Sequence, residues 1–428
     1  MSSAALQQNR LRHKTSFVLH FSPYRERILH MKPPPIHFVY PGTTTFAGQT
    51  IACIHAIEDL TKSGFTVHPI EYPAYDRSGR GPGPLVRYAC RLLKALAATM
   101  TTLFSRQPVI IFSHTQTLGG LVRMGLPHLV LVCLRPSTRV GVVLHGGMFL
   151  TWEGPEARKK LFMKLIRSSA LTTANTHGQR DRLINDGANP NQVAVLFNTI
   201  DFDPMPIEEL RKTTSNSDTP PASLNLTFVS ALLDTKGFVE FLEAANRLAQ
   251  THPALKLTVT LCGPIAFSAY CKRFQDASEK HDWIVDMLTR LNAHPLVEAE
   301  WKPRVEGEDK KTVYRDADVV VLPSTHPMES SPLILPEAMA SGCAIVTSRA
   351  GSIEEIVDPH CAILIDKVDS NSVFEALDQI ARTPGLARTM ARAGLTRFYQ
   401  RYTREHHRAF WENAGEILTG CPPDTHQA

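Results

Sequence analysis

The chain has 428 residues, enough for about two domains of ordinary size. Hydrophobic residues make up 43% and charged ones 20%, the balance of a soluble globular protein. The formal net charge is +5, and residues 1–32 carry all of it, with Arg10, Arg12, Lys14, Arg25, Arg27 and Lys32 against Glu26 alone. The remainder is neutral, which leaves no charged face for nucleic acid beyond a short tail.

The eight cysteines form no C-x-x-C pair, so no zinc spacing is present. Several fall in apolar runs that read as strands, Cys133 in LVLVCL and Cys262 in LTVTLCG. Free, buried, reduced thiols in the cytosol are the simplest expectation. The first residues lack the apolar core and cleavage site of a signal peptide, and no apolar run reaches about 18 residues. A cytoplasmic chain without a spanning helix is expected.

Residues 1–35, ending in three prolines, read as a basic flexible extension. From Ile36 the chain alternates strand and helix patterns: IHFVY at 36–40, a helix over 49–62, TVHPI at 66–70 and a helix over 85–104. VIIFS (109–113), VGVVL (140–144), LTTA at 171 and VAVLF at 193 are short apolar runs bounded by turns, typical of strands buried on both faces. This predicts a parallel, doubly wound domain over 36–211. KTTSNSDTPPAS breaks the pattern, placing a linker at 212–224. A second alternation over 225–400 runs through LTFVS (226–230), a helix over 238–250, LTVTL (257–261), VVVLP (319–323) and AILI (362–365). Residues 398–418 read as one terminal helix, with 401–420 crossing back to the first domain.

The stretch PSTHPMESSPLILPEAMASGCAIVTSRAGSIEEIVD, residues 323–358, concentrates the chemistry. Glu329 and Glu337 are separated by seven residues. Pro336 is tolerated only in a first helical turn, so the helix starts between Ser331 and Pro336. Its free N–H groups suit a phosphate oxygen, and Glu337 one turn in can reach hydroxyls. The plain alternative is that Glu337 satisfies the helix start and Glu329 is a solvated loop acid.

This block resembles the donor-binding signature of retaining GT-B glycosyltransferases of the family 4 type, the glycosyl transferases group 1. The resemblance spans most of residues 36–420 and implies two Rossmann-like domains facing a cleft. It implies that Glu329 touches the transferred sugar, Glu337 holds the nucleotide ribose, and Lys236 in LLDTKGF faces the donor diphosphate. Ser330, Ser331, Leu333 and Gly263 complete the implied donor site. His145, at the end of VGVVLH before two glycines, is placed beside the reacting carbon. Gly48 in PGTTTFAGQT matches the glycine loop against the phosphates, and the absence of G-x-G-x-x-G argues against a nicotinamide enzyme.

Two positions depart from the pattern. Ala231 stands where relatives carry an arginine beside the diphosphate, and Thr199 in FNTID replaces a glycine. Arg349 is the candidate to supply the missing cation, and a plain surface arginine is the equal alternative. His114 is ambiguous, and Tyr314 with Asp318 is read as structural. The segment RKKLFMKLIRSS, 158–169, reads either as a basic amphipathic helix resting peripherally on anionic lipid or as a core helix with a solvated basic face.

The expected activity is transfer of a sugar from a nucleotide-diphosphate sugar to a glycan or lipid-linked acceptor hydroxyl, without metal or cofactor, in surface polysaccharide or glycolipid assembly. The alternative is a catalytically weak homologue serving as a sugar-nucleotide-binding accessory subunit.

Overall fold

A computed structural model describes residues 32–424, apart from 43–47, 74–81, 154–155, 213–218 and 328. Residues 1–31 of the basic extension and residues 213–218 of the linker lie outside the described residues.

Twelve strands form two six-stranded, wholly parallel sheets. The first sheet holds β1 (Ile36–Pro41), β2 (Val67–Tyr72), β3 (Val109–His114), β4 (Arg139–Leu144), β5 (Leu171–Ala174) and β6 (Val193–Val195), in the order β2-β1-β3-β4-β5-β6. The second holds β7 (Ser223–Val229), β8 (Lys256–Cys262), β9 (Val297–Lys302), β10 (Val319–Leu322), β11 (Ala344–Ser348) and β12 (Ala362–Ile365), in the order β12-β11-β10-β7-β8-β9. Strands buried on both faces are mostly apolar, and β3 and β10 are buried at every position. β9 escaped the sequence reading because VEAEWK alternates acids with apolar residues, as suits an edge strand with one wet face.

Three expectations are corrected. LVLVCL is not a strand but the end of the helix Leu118–Leu134, which carries Pro127 within it. Cys133 is therefore exposed, as is Cys90. A continuous apolar run looks alike in a buried strand and a buried helix, and only length separates them. The terminal segment is two helices, Leu386–Arg401 and Arg404–Thr419, with the Thr403 side chain capping the second. The helix Ala157–Arg167 buries Phe162, Met163, Leu165 and Ile166 in the first core, so its apolar face is not available to lipid. Its Lys159 pairs with Asp186, and Arg167 donates to the carbonyls of Gly187 and Asp186.

The last helix, Arg404–Thr419, packs on the first sheet. Trp411 and Leu418 join Ile36, Phe38 and Val143 in one apolar cluster. Beside it Asp59, fully buried, accepts from Arg404 Nε at 2.8 Å and sits 2.5 Å from His407 Nδ1. Burial works against the Asp59 charge, but His407 and Arg404 outweigh it and keep the carboxyl below its ordinary range. No described helix is long and apolar enough to cross a membrane.

Candidate functional site

In the second sheet β7 and β10 lie side by side while their outgoing connections run to opposite sides, a topological switch point where a crevice opens. Lys236 follows β7 and Glu329 follows β10. The loops are tied together, since Thr325 N donates to Thr235 O at 2.7 Å. Lys236 Nζ thereby meets Glu329 Oε2 at 2.6 Å, and Ser324 Oγ donates to the same oxygen at 2.8 Å. Glu329 is 5% exposed. Its backbone is pinned by Gly351 at φ +57, where an added Cβ would lie 1.8 Å from Glu329 O. Only glycine permits that approach.

The turn bearing Lys236 is held from beneath by Lys280, a residue no sequence motif marked. Lys280 is fully buried, donates to Leu232 O and Ala266 O at 2.9 Å each, and pairs with Asp234 at 2.8 Å. Asp234 also accepts from the backbone N–H groups of Lys272 and Arg273.

Glu337 lies in the short helix Ile334–Ala340 and is also 5% exposed. With seven residues that helix has little macrodipole to offer, so Lys236 is the stronger anion partner here. Lys310 Nζ sits 2.8 Å from Glu337 Oε1, and Tyr314 Oη donates to Oε2 at 2.6 Å. Lys310 also bridges to Asp201 at 2.9 Å. Burial alone opposes the Lys310 charge, yet the Glu337 and Asp201 carboxylates prevail and raise its pKa above the ordinary lysine value. Tyr314, read as structural from sequence, is a direct partner of Glu337, and burial pushes its hydroxyl well above the usual range.

The carboxyl ends of both sheets face one another. Gly48, opening the helix after β1, lies against Leu333, whose Cδ1 would be 3.3 Å from an added Cβ. Asn198 Nδ2 donates to Ser331 O at 3.0 Å, and Thr176 Oγ1 to Ser352 Oγ at 3.2 Å. The Glu355 carboxylate accepts from His177 N and Gly178 N at 2.5 and 2.9 Å. Thr199 Oγ1 donates to Tyr402 O at 2.8 Å, so the hydroxyl that replaces the expected glycine fastens the end of the first unit to the last helices.

His145 follows β4 on this same face and is partly buried. Its Nε2 lies 3.4 Å from Cys53 Sγ. Burial lowers the imidazole to about 4 and raises the Cys53 thiol to about 12, so both are neutral near pH 7. Gln116 Nε2 donates to His145 O at 3.2 Å and Gly146 O at 3.0 Å, while Gln179 Nε2 donates to Gly146 O at 3.2 Å. His114 instead points into the core, stacked on Phe112 and 3.2 Å from His128 Nδ1.

Arg349 does not supply the missing cation in this structure. It is exposed and clamped between Glu354 and Asp366, 2.6 Å from the latter, so its charge is already answered. Gly263, at φ +129, serves internal packing: an added Cβ would meet Ser230 O at 1.8 Å. Ser330 is buried beside Glu329.

The fold has counterparts among solved structures. A glycosyltransferase from Rickettsia africae aligns with a TM-score of 0.64 at 12% identity, covering 91% of this chain and 99% of that one. Anabaena HepE, solved with UDP and glucose, gives 0.61 at 15% over 90% and 100%. The fold is GT-B. The model of the family described as glycosyl transferases group 1 matches residues 211–397. That match covers a little under half of the chain.

Among curated proteins, the D-inositol 3-phosphate glycosyltransferase of Corynebacterium kroppenstedtii is 26% identical over 231 residues, 53% of this chain and 49% of its own length. That of Pseudarthrobacter chlorophenolicus is 24% identical over 348 residues, 77% and 79% of the two chains. The chain thus spans about half the length of the first of these relatives. The group 1 segment contains Lys236, Lys310, Glu329 and Glu337. Gly48 and His145 lie in the first unit, outside it.

Proposed function

We propose that this chain is a retaining, metal-independent glycosyltransferase that moves a sugar from a nucleotide diphosphate to an acceptor hydroxyl. The observation that carries the reading is the Lys236–Glu329 pair, joined at 2.6 Å at the switch point of the group 1 domain. Lys236 is a fixed cation for a leaving diphosphate, and Glu329 is an acceptor for hydroxyls of the transferred sugar. Glu337, flanked by Lys310 and Tyr314, is assigned to the ribose. Neutral His145 is assigned a hydrogen bond to the donor sugar, a role that does not require it to carry charge. The departing diphosphate takes the acceptor proton from the same face, so no further base is assigned. A nucleotide-diphosphate sugar is the donor, and a glycan or lipid-linked hydroxyl in surface polysaccharide or glycolipid assembly is the acceptor. The inositol phosphate named for the relatives belongs in the acceptor panel.

A second reading has one observation in its favour. With Ala231 in place of a cation and Arg349 held by two acids, Lys236 faces the donor with less support, as expected of a sugar-nucleotide-binding accessory subunit. Release of UDP, GDP or ADP from the matching glucose, mannose and N-acetylglucosamine donors, with and without EDTA, tests both. Turnover of one donor that survives EDTA and is lost in Lys236→Ala supports the enzyme. Tight donor binding without turnover supports the accessory reading, and no binding of any donor overturns both.

A further inference from the structure

The helices Pro82–Thr101 and Leu118–Leu134 pack beside each other over β2 and β3 and present an unusual outer surface. Leu118, Val122, Leu126 and Leu134 recur at four- and eight-residue spacing on the second helix, with Leu134 68% exposed. Val86 and Leu93, seven residues apart, share one face of the first, with Leu93 65% exposed, and Phe104 beyond its end is 88% exposed. Between the helices runs a groove of roughly 990 Å³ whose walls include Leu92, Leu96, Met100, Val122, Leu126 and Val130. Apolar surface this continuous marks a place of contact.

Charge decides what makes that contact. Residues 77–152 contain no Asp or Glu. Arg87, Arg91 and Lys94 form an exposed row at helical spacing, beside the face that carries Val86 and Leu93, and exposed Arg106 adjoins Phe104. A second copy of the chain would bring this row against itself. Residues 1–31, with five Lys or Arg against one Glu, would meet it with like charge.

We propose that this face docks on an anionic lipid bilayer, its leucines and Phe104 entering the interfacial layer and its arginine row meeting headgroup phosphates. The proposal does not depend on the transferase reading, because its test measures binding without turnover.

Full-length protein is floated with vesicles of equimolar phosphatidylglycerol and phosphatidylcholine, and with phosphatidylcholine alone. Binding is expected to the anionic vesicles and to weaken as salt is raised. Arg87→Gln/Arg91→Gln/Lys94→Gln is expected to reduce partition about a hundredfold, since each cation near such a surface adds several-fold. Lys160→Gln/Lys164→Gln, on the exposed side of the helix Ala157–Arg167, is expected to bind as the parent does. Circular dichroism checks that each variant is folded; all five charges are solvent-exposed. Equal binding to both vesicle types, binding to neither, or full binding by the triple variant overturns the proposal. So does a dimer in sedimentation equilibrium that Leu126→Ser dissociates while no vesicle is bound.

Discussion

Lys236 and Glu329 neutralise each other across 2.6 Å, joining the loops that leave β7 and β10. On the proposed reading a donor entering the crevice competes with this pair, the diphosphate drawing on Lys236 and the sugar on Glu329. Lys236→Ala removes a charge-assisted contact to the leaving group and is expected to lower turnover by roughly a hundredfold or more. Gly351→Ala tests the same geometry from behind, because its Cβ would strike Glu329 O. It should approach the loss expected of Glu329→Ala while the protein stays folded. Single-turnover rates compare the three variants, and near-parental turnover in Gly351→Ala would show that the position of Glu329 is not critical.

Glu337 and Lys310 should separate binding from chemistry. Ribose contacts are the same in ground and transition states, so Glu337→Gln is expected to raise the donor Kd about tenfold with little change in the chemical step. Lys310→Met deprives Glu337 of its cation and should weaken donor affinity as well. Calorimetric titration of nucleotide alone against each variant checks this; unchanged affinity in both removes the ribose assignment.

Arg349→Ala is expected to leave turnover within about twofold of the parent, because the side chain is exposed and already paired with Glu354 and Asp366. Ala231→Arg, by contrast, places a cation five residues before Lys236 on the connection that leaves β7 and should raise activity. A severe loss in Arg349→Ala would mean that this arginine turns inward when donor binds.

Acid should loosen the first unit. His128 is fully buried and held neutral, its pKa lowered to about 3 by burial, while His114 beside it is also well below the ordinary value. In the unfolded chain histidine takes up a proton near pH 6.5, which the folded chain refuses. The stability from keeping His128 neutral is therefore complete above that pH and lost as pH falls, by about 2 kcal/mol at about pH 5. Thermal melting across that range should fall, and His128→Gln should flatten the slope. An unchanged slope would place the acid sensitivity in other groups.

The placement of Glu329 and Glu337 in the loop after β10 and in the following helix was legible because each belongs to a short pattern tied to its own loop or helix. Lys310 and Lys280 were not. Both are lysines on amphipathic helices, indistinguishable in sequence from solvated ones, and they matter only because the fold brings distant segments together. For Arg349 the neighbouring residues in the chain left crevice and surface both open, and only the fold shows it paired with Glu354 and Asp366. The helix Leu118–Leu134 deceived the strand reading because its last residues are apolar on every side, and the exposed ones are those of the proposed docking face.

The sequence by itself determined the two alternations of buried strands and helices, the switch-point acids and the lysine after β7, since periodicity and turn chemistry are local. Tertiary structure alone decided which charges neutralise each other, that Thr199 ties to Tyr402, and that Asp59 receives Arg404 and His407 from a helix more than three hundred residues away. Ion pairing depends on distances of a few ångströms between side chains, and residues far apart in sequence reach such distances only when both sheets are folded and face each other.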